Sequence, residues 1–114
     1  MFKILEKPTP TIMQQQYGNY GFIKIEDIVY ISLQENHTEL NMVDCSTIKS
    51  REKLVKYYDH LKAHSFHYAN RHHIFNLRYL KKLYENKLLL QNGKELKLSR
   101  IKRKELLEEL GKLG

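Results

Sequence analysis

Between Phe22 and Leu33 apolar β-branched and aromatic residues crowd into two runs, Phe22-Ile23-Lys24-Ile25 and Ile28-Val29-Tyr30-Ile31-Ser32-Leu33, separated by Glu26-Asp27. Such residues fit a pleated, half-buried surface, so the pattern predicts two strands with a break between them. Gln34 to His37 is uniformly polar and reads as a turn, tipped by Asn36 and His37. Thr38, Leu40 and Met42 then alternate with polar neighbours as far as Val43, the two-residue period of a strand with one buried face. Beyond Ser50 the period changes. Leu54, Tyr57, Tyr58 and Leu61 recur at three- and four-residue intervals behind Ser50-Arg51-Glu52-Lys53. This predicts a helix of roughly three to four turns that covers the sheet, with Ser50 placed as its cap and Lys53, Lys56 and Lys62 turned outward.

Phe66 to Asn76 reads as extended chain through an irregular middle, because Asn70-Arg71-His72-His73 is too polar for a strand interior, while Ile74-Phe75 looks like its buried exit. Leu77, Leu80 and Leu83 alternate with Arg78, Lys81 and Lys82, a spacing that suits either a helical turn or a strand. Asn92-Gly93 predicts a two-residue type I′ hairpin turn within Lys87–Leu98. That register sets Leu89 opposite Leu96 and Lys87 opposite Leu98, leaving Leu88 and Leu90 on the other face with Glu95 and Lys97, a sheet of weak sidedness. Ser99 is a candidate cap for a last helix carrying Leu106, Leu107, Leu110 and Leu113 and ending at Gly111 and Gly114. At the other end, Pro8 and Pro10 favour extended backbone, so residues 1–16 read as an arm or edge strand and residues 17–114 as the domain proper. The expected class is mostly β: antiparallel hairpins and small sheets with one central helix and a short carboxy-terminal helix.

Charge adds a partner class to this picture. The chain has 114 residues, enough for one modest core, and a formal charge of +7. Residues 1–50 hold four basic and six acidic groups, whereas residues 51–114 hold sixteen and seven. A field so lopsided favours a polyanion through phosphate neutralisation and counterion release, although a solvated charged surface needs no partner at all. The single cysteine, Cys45, cannot form an internal disulfide, and its neighbours Asp44 and Ser46 offer nothing to activate it, so it reads as an inert, partly buried thiol. No leader-like start and no apolar run approaching about 18 residues is present, and the expected location is cytoplasmic, associated with the nucleoid.

Taken in order, Asp27-Ile28-Val29-Tyr30-Ile31, the turn Glu35-Asn36-His37-Thr38, Phe66, Arg71, Ile74-Phe75-Asn76, Asn92-Gly93 and Ser99-Arg100 resemble the LytTR family of bacterial DNA-binding domains from about Phe22 to Leu110. The chain departs from the family pattern at Tyr68, where an Arg is common, at Asn70, where a His is usual, and at His72, where a Ser is usual. The resemblance implies a transcription regulator, akin to response regulators, that inserts loops rather than a recognition helix into successive major grooves. It implies base contacts from His37, Arg71 and Arg100, and phosphate contacts from Asn70, His72, Lys97, Ser99 and Arg103. It also implies DNA bending and two copies on repeated half-sites of double-stranded DNA.

The chemistry of these side chains fits on its own terms. Loop ends flanked by strands can present a long donor outward, arginine matches guanine O6 and N7 with two parallel donors, and a histidine nitrogen can donate to the same acceptors. Imidazoles near phosphate should hold their protons more tightly, so that affinity rises as pH falls toward 6. Against this stand simpler assignments: His37 as a solvated turn residue, Arg71 paired with Asp59 or Glu85, Arg100 near a helix start without a ligand. Other classes also stay open. His60 and His64 lie four apart and could share zinc, but no Glu stands between them and basic neighbours oppose a cation, so neither metal nor other cofactor is expected. No phosphate-binding glycine loop, nucleophile elbow or acidic pair indicates an enzyme or a small-molecule substrate. A protein-interaction adaptor, or an RNA-binding module using some of the eight tyrosines, would fit the same fold.

Overall fold

The computed structural model describes residues 10–16 and 19–113. Its centre is a five-stranded antiparallel sheet in the order β5-β4-β3-β7-β6, built from β3 (Ile28–Leu33), β4 (Thr38–Met42), β5 (Thr47–Ser50), β6 (Phe66–Asn70) and β7 (His73–Asn76). A two-stranded hairpin of β1 (Thr11–Gln16) and β2 (Asn19–Lys24) precedes it. A three-stranded sheet of β8 (Leu80–Leu83), β9 (Lys87–Leu90) and β10 (Glu95–Lys97) follows, and α1 (Leu54–Leu61) and α2 (Arg100–Leu113) complete the chain. Of the amino-terminal segment, residues 11–16 form β1; residues 1–9 and Gly114 lie outside the described residues.

Two apolar clusters seal the central sheet on both faces. On one side Ile28, Ile31, Leu40, Phe66 and Ile74 meet Leu54, Tyr57 and Leu61 of α1 and Ile23 of the first hairpin. On the other, Val29, Ala69 and Phe75 meet Leu88, Leu90, Leu96 and Leu98 of the second sheet and Leu106 of α2. A strict two-residue alternation could not send Ile28 and Ile31 to one face and Val29 to the other. The register shift between Ile28 and Tyr30 allows it, since one extra residue resets the alternation. Buried Asn76 ties the layers together: its Nδ2 donates to the Ile28 carbonyl at 3.0 Å, and its Oδ1 accepts from the Arg78 amide at 3.1 Å.

The predicted strands, the polar turn at 34–37 and the alternating burial of Thr38, Leu40 and Met42 are present. Four local expectations need correction, the first being the length of α1, which has eight residues, about two turns, where three to four were expected. The Asn92-Gly93 turn is a three-residue loop: Glu95 faces Leu89 and Leu96 faces Leu88, Gly93 has φ +90°, and Asn92 is not among the residues of positive φ. A type I′ turn needs positive φ at both central positions, so the register slips by one and Leu88, Leu90, Leu96 and Leu98 all enter the core. The expected weak sidedness is thereby replaced by one apolar face. Ser50 does not cap α1 either; it ends β5, and its hydroxyl accepts from the Glu52 amide and from the Tyr57 hydroxyl, at 3.1 and 2.6 Å. Cys45 is exposed, not partly buried. The ambiguous stretch from Leu77 divides into a short 3-10 turn, Leu77–Tyr79, followed by β8.

Candidate nucleic-acid interface

β3 and β7 run antiparallel with Ser32 opposite His73, so the turn leaving β3 and the turn entering β7 lie at the same end of the sheet. The Leu33 amide donates to the His72 carbonyl at 2.8 Å, locking the two turns side by side. A second pair of bonds brings in the carboxy-terminal sheet: Asn70 Nδ2 donates to the Lys97 carbonyl at 2.6 Å, and the Ser99 amide donates to the Ala69 carbonyl at 2.9 Å. Three segments distant in sequence, 34–37, 70–72 and 97–103, therefore meet at one rim. The rim is set by two backbone bonds together with the Asn70 side chain.

Arg71 stands exposed in the two-residue turn between β6 and β7, and Arg100 stands exposed as the first residue of α2. Among the described residues neither guanidinium enters an ion pair; Asp59 faces Lys62, and Arg71 is bound to neither Asp59 nor Glu85. His72 and Lys97 are exposed beside them. His37 is placed at the same rim but is engaged: Nδ1 lies 3.0 Å from Asn36 Oδ1 and Nε2 lies 3.0 Å from Glu39 Oε2. Ser99 caps α2 through its Oγ, which accepts from the Lys102 amide at 3.2 Å. Arg103 Nε donates to the Tyr84 carbonyl at 3.1 Å, which leaves the terminal nitrogens of the guanidinium for other acceptors.

Several basic side chains that the sequence did not single out lie along aromatic rings here. Lys82 and Lys87 place their ammonium groups 5.0 and 5.2 Å from the Tyr84 ring, and the turn holding Tyr84 is bound to the start of α2 by Arg103 and by a Leu98 amide bond to the Asn86 carbonyl. Lys94 lies 5.9 Å from the Tyr30 ring and Lys102 5.3 Å from the Tyr68 ring. Only the pairs around Tyr84 had a local signal, lysines two residues before and three after it in Lys82-Leu83-Tyr84-Glu85-Asn86-Lys87. Burial, then the positive charge of Lys94 and the proximity of His72, hold His73 below its ordinary pKa. His67 is also lowered by burial, with Glu109 opposing. Among the described residues no three His, Cys, Asp or Glu side chains are grouped to hold a metal ion, and no helix is long and apolar enough to cross a membrane.

The chain resembles a solved structure, the LytTr DNA-binding domain of a Bacillus cereus protein assigned as a methyl-accepting/DNA response regulator, with a TM-score of 0.75 and 18% identity over 89% of this chain and 96% of that one. At that identity the likeness establishes the fold, including the order of hairpins and helices around the doubly covered sheet. No curated protein sequence matches. The family model for the LytTr DNA-binding domain matches residues 18–111, which include all three segments of the rim. The chain therefore belongs to the LytTR family of DNA-binding domains.

Proposed function

We propose that this domain binds double-stranded DNA sequence-specifically as a bacterial transcription regulator, reading major-groove base edges from the rim. Arg71 and Arg100 are the principal readers, each offering a bidentate fork to guanine O6 and N7. His37 assists from the adjoining turn, and because both its ring nitrogens face internal oxygens it must exchange one of them for a base. His72, Lys97 and Arg103 grip phosphates, whereas Asn70 and Ser99, expected to do the same, have side chains bonded within the protein and on this reading shape the backbone from which those groups project. Few base contacts fit on one module of this size, so two copies on repeated half-sites would supply the specificity of an operator.

The observation that carries this reading is the hydrogen-bonded convergence of 70–72 with 97–100, which leaves two exposed guanidinium groups without ion pairs on one rim. Selection of bound duplexes from a random pool at two salt concentrations tests it, because sequence preference and bulk charge attraction respond differently to salt. Arg71→Ala and Arg100→Ala should each weaken the selected duplex by about 1–3 kcal/mol and relax preference at one position. Lys97→Ala should weaken all duplexes alike and reduce the salt slope by about one. A pool that yields no consensus, or an unstructured RNA that outcompetes the selected duplex, refutes the reading.

A further inference from the structure

We propose that Asn70 is a positioning residue that sets the distance between the two arginine-bearing segments; the inference rests on the base-reading function proposed above. Its side chain is engaged at both ends. Nδ2 donates to the Lys97 carbonyl at 2.6 Å, while Oδ1 accepts from the His72 amide at 2.9 Å and faces His73 Nδ1 at 3.0 Å. One amide group thus binds the residue after Arg71, the one following it, and the backbone three residues before Arg100. No other residue type of that size can do this, because the task needs a donor and an acceptor on a single planar head.

The three partners fix the amide orientation. The His72 amide can only donate and the Lys97 carbonyl can only accept, so oxygen must face the turn and nitrogen must face β10. With that oxygen as acceptor, half-buried His73 donates to it from Nδ1. The bond from Oδ1 to the amide two residues on is also the one by which Asn shapes tight turns, here the Arg71-His72 turn at the register shift between Tyr68 and Asn70. Among the described residues one backbone bond also crosses this joint, from the Ser99 amide to the Ala69 carbonyl. Without Asn70 the joint retains that single bond, and the Arg71 turn can shift against the start of α2. A bidentate base contact tolerates little such movement, whereas attraction of lysines to phosphate tolerates a great deal.

Two substitutions separate positioning from contact. Asn70→Ala removes all three bonds; Asn70→Asp keeps the acceptor toward His72 and His73 but sets an oxygen against the Lys97 carbonyl. For wild type, both variants and Arg71→Ala, dissociation constants are measured on the duplex selected by the wild type and on a scrambled duplex, with the salt slope, below the melting temperature of each protein. The expected result for both Asn70 variants is a fall of roughly tenfold in preference for the selected over the scrambled duplex, equivalent to about 1.4 kcal/mol, with Asn70→Ala leaving the scrambled duplex within twofold and the salt slope unchanged and Asn70→Asp weakening both duplexes alike only by its added negative charge. A uniform loss on both duplexes with a reduced slope in the neutral variant Asn70→Ala makes Asn70 a phosphate contact and overturns the proposal. So does an unchanged preference in Asn70→Asp while Arg71→Ala loses its own. If Arg71→Ala also keeps full preference, base reading by the rim has failed, and the positioning role fails with it. Circular dichroism of each variant verifies the fold, and Asn70→Asp carries the test should Asn70→Ala not fold.

Discussion

Replacing Gly93 by alanine isolates one backbone term in the hairpin that sets the register of the carboxy-terminal sheet. An added Cβ would meet nothing within 4 Å, so no clash contributes. What remains is the φ of +90°, where an L-residue carries roughly 1–2 kcal/mol of strain. Alanine also narrows the unfolded ensemble, which returns about 0.4–1 kcal/mol. The net loss should therefore be near 1 kcal/mol, or about 4 °C in melting temperature for a domain of this size. The companion change Asn92→Gly discriminates between turn types. Asn92 has no positive φ, and its Oδ1 accepts from the Lys94 amide at 3.0 Å, so glycine there gives up that bond and adds unfolded-state freedom, a loss of about 1 kcal/mol. In a type I′ turn the same change would relieve strain and be neutral or stabilising. Urea unfolding followed by circular dichroism, with the slope m unchanged, measures both. A neutral or stabilising Asn92→Gly refutes the three-residue loop, and with it the assignment of Leu88, Leu90, Leu96 and Leu98 to a single face.

Stability should depend on pH through His67 and His73, whose folded-state pKa values are depressed by burial. Their contribution is complete above the unfolded value of about 6.5 and declines as pH falls through it, because the unfolded chain takes up the proton first; the slope should flatten in the double variant His67→Gln, His73→Gln, measured by urea titrations between pH 5 and 8. Asn76→Ala should destabilise by about 1–3 kcal/mol, since it strands the buried Ile28 carbonyl and removes the acceptor for the Arg78 amide; a change below 0.5 kcal/mol in the same titration, roughly the level of an ordinary surface substitution, would refute that accounting.

Elements with a strong local period were legible in the sequence. β3 and β4 announced themselves by β-branched runs and by the alternation of Thr38, Leu40 and Met42, and α1 by the stripe of Leu54, Tyr57 and Leu61. β5 was not, because Thr47-Ile48-Lys49-Ser50 has a single apolar residue and becomes a strand only by pairing with β4. The hairpin slip had a readable cue: only the three-residue loop gathers all four inward leucines, whereas the Asn-Gly dipeptide suits loops of either length. At the rim, the exposure of Arg71 and Arg100 agrees with what the polar loop ends suggested. The engagement of His37 by Glu39 was foreseeable too, since residues two apart along extended chain share a face. Asn70 was not foreseeable, because a polar side chain in a turn looks the same in sequence whether it meets water or the carbonyl of a strand 27 residues away.

The packing of apolar residues onto both sides of the central sheet has a consequence for how such a domain can change its target. With each side sealed, Arg71, Arg100 and His37 belong to no layer of the core, and exchanging any of them leaves every buried leucine, isoleucine and phenylalanine untouched. Under the base-reading role proposed above, selectivity can diversify by single substitutions at loop and helix ends at almost no expense in folding, whereas a reader built in the middle of a buried helix face would have to vary beside the residues that anchor it.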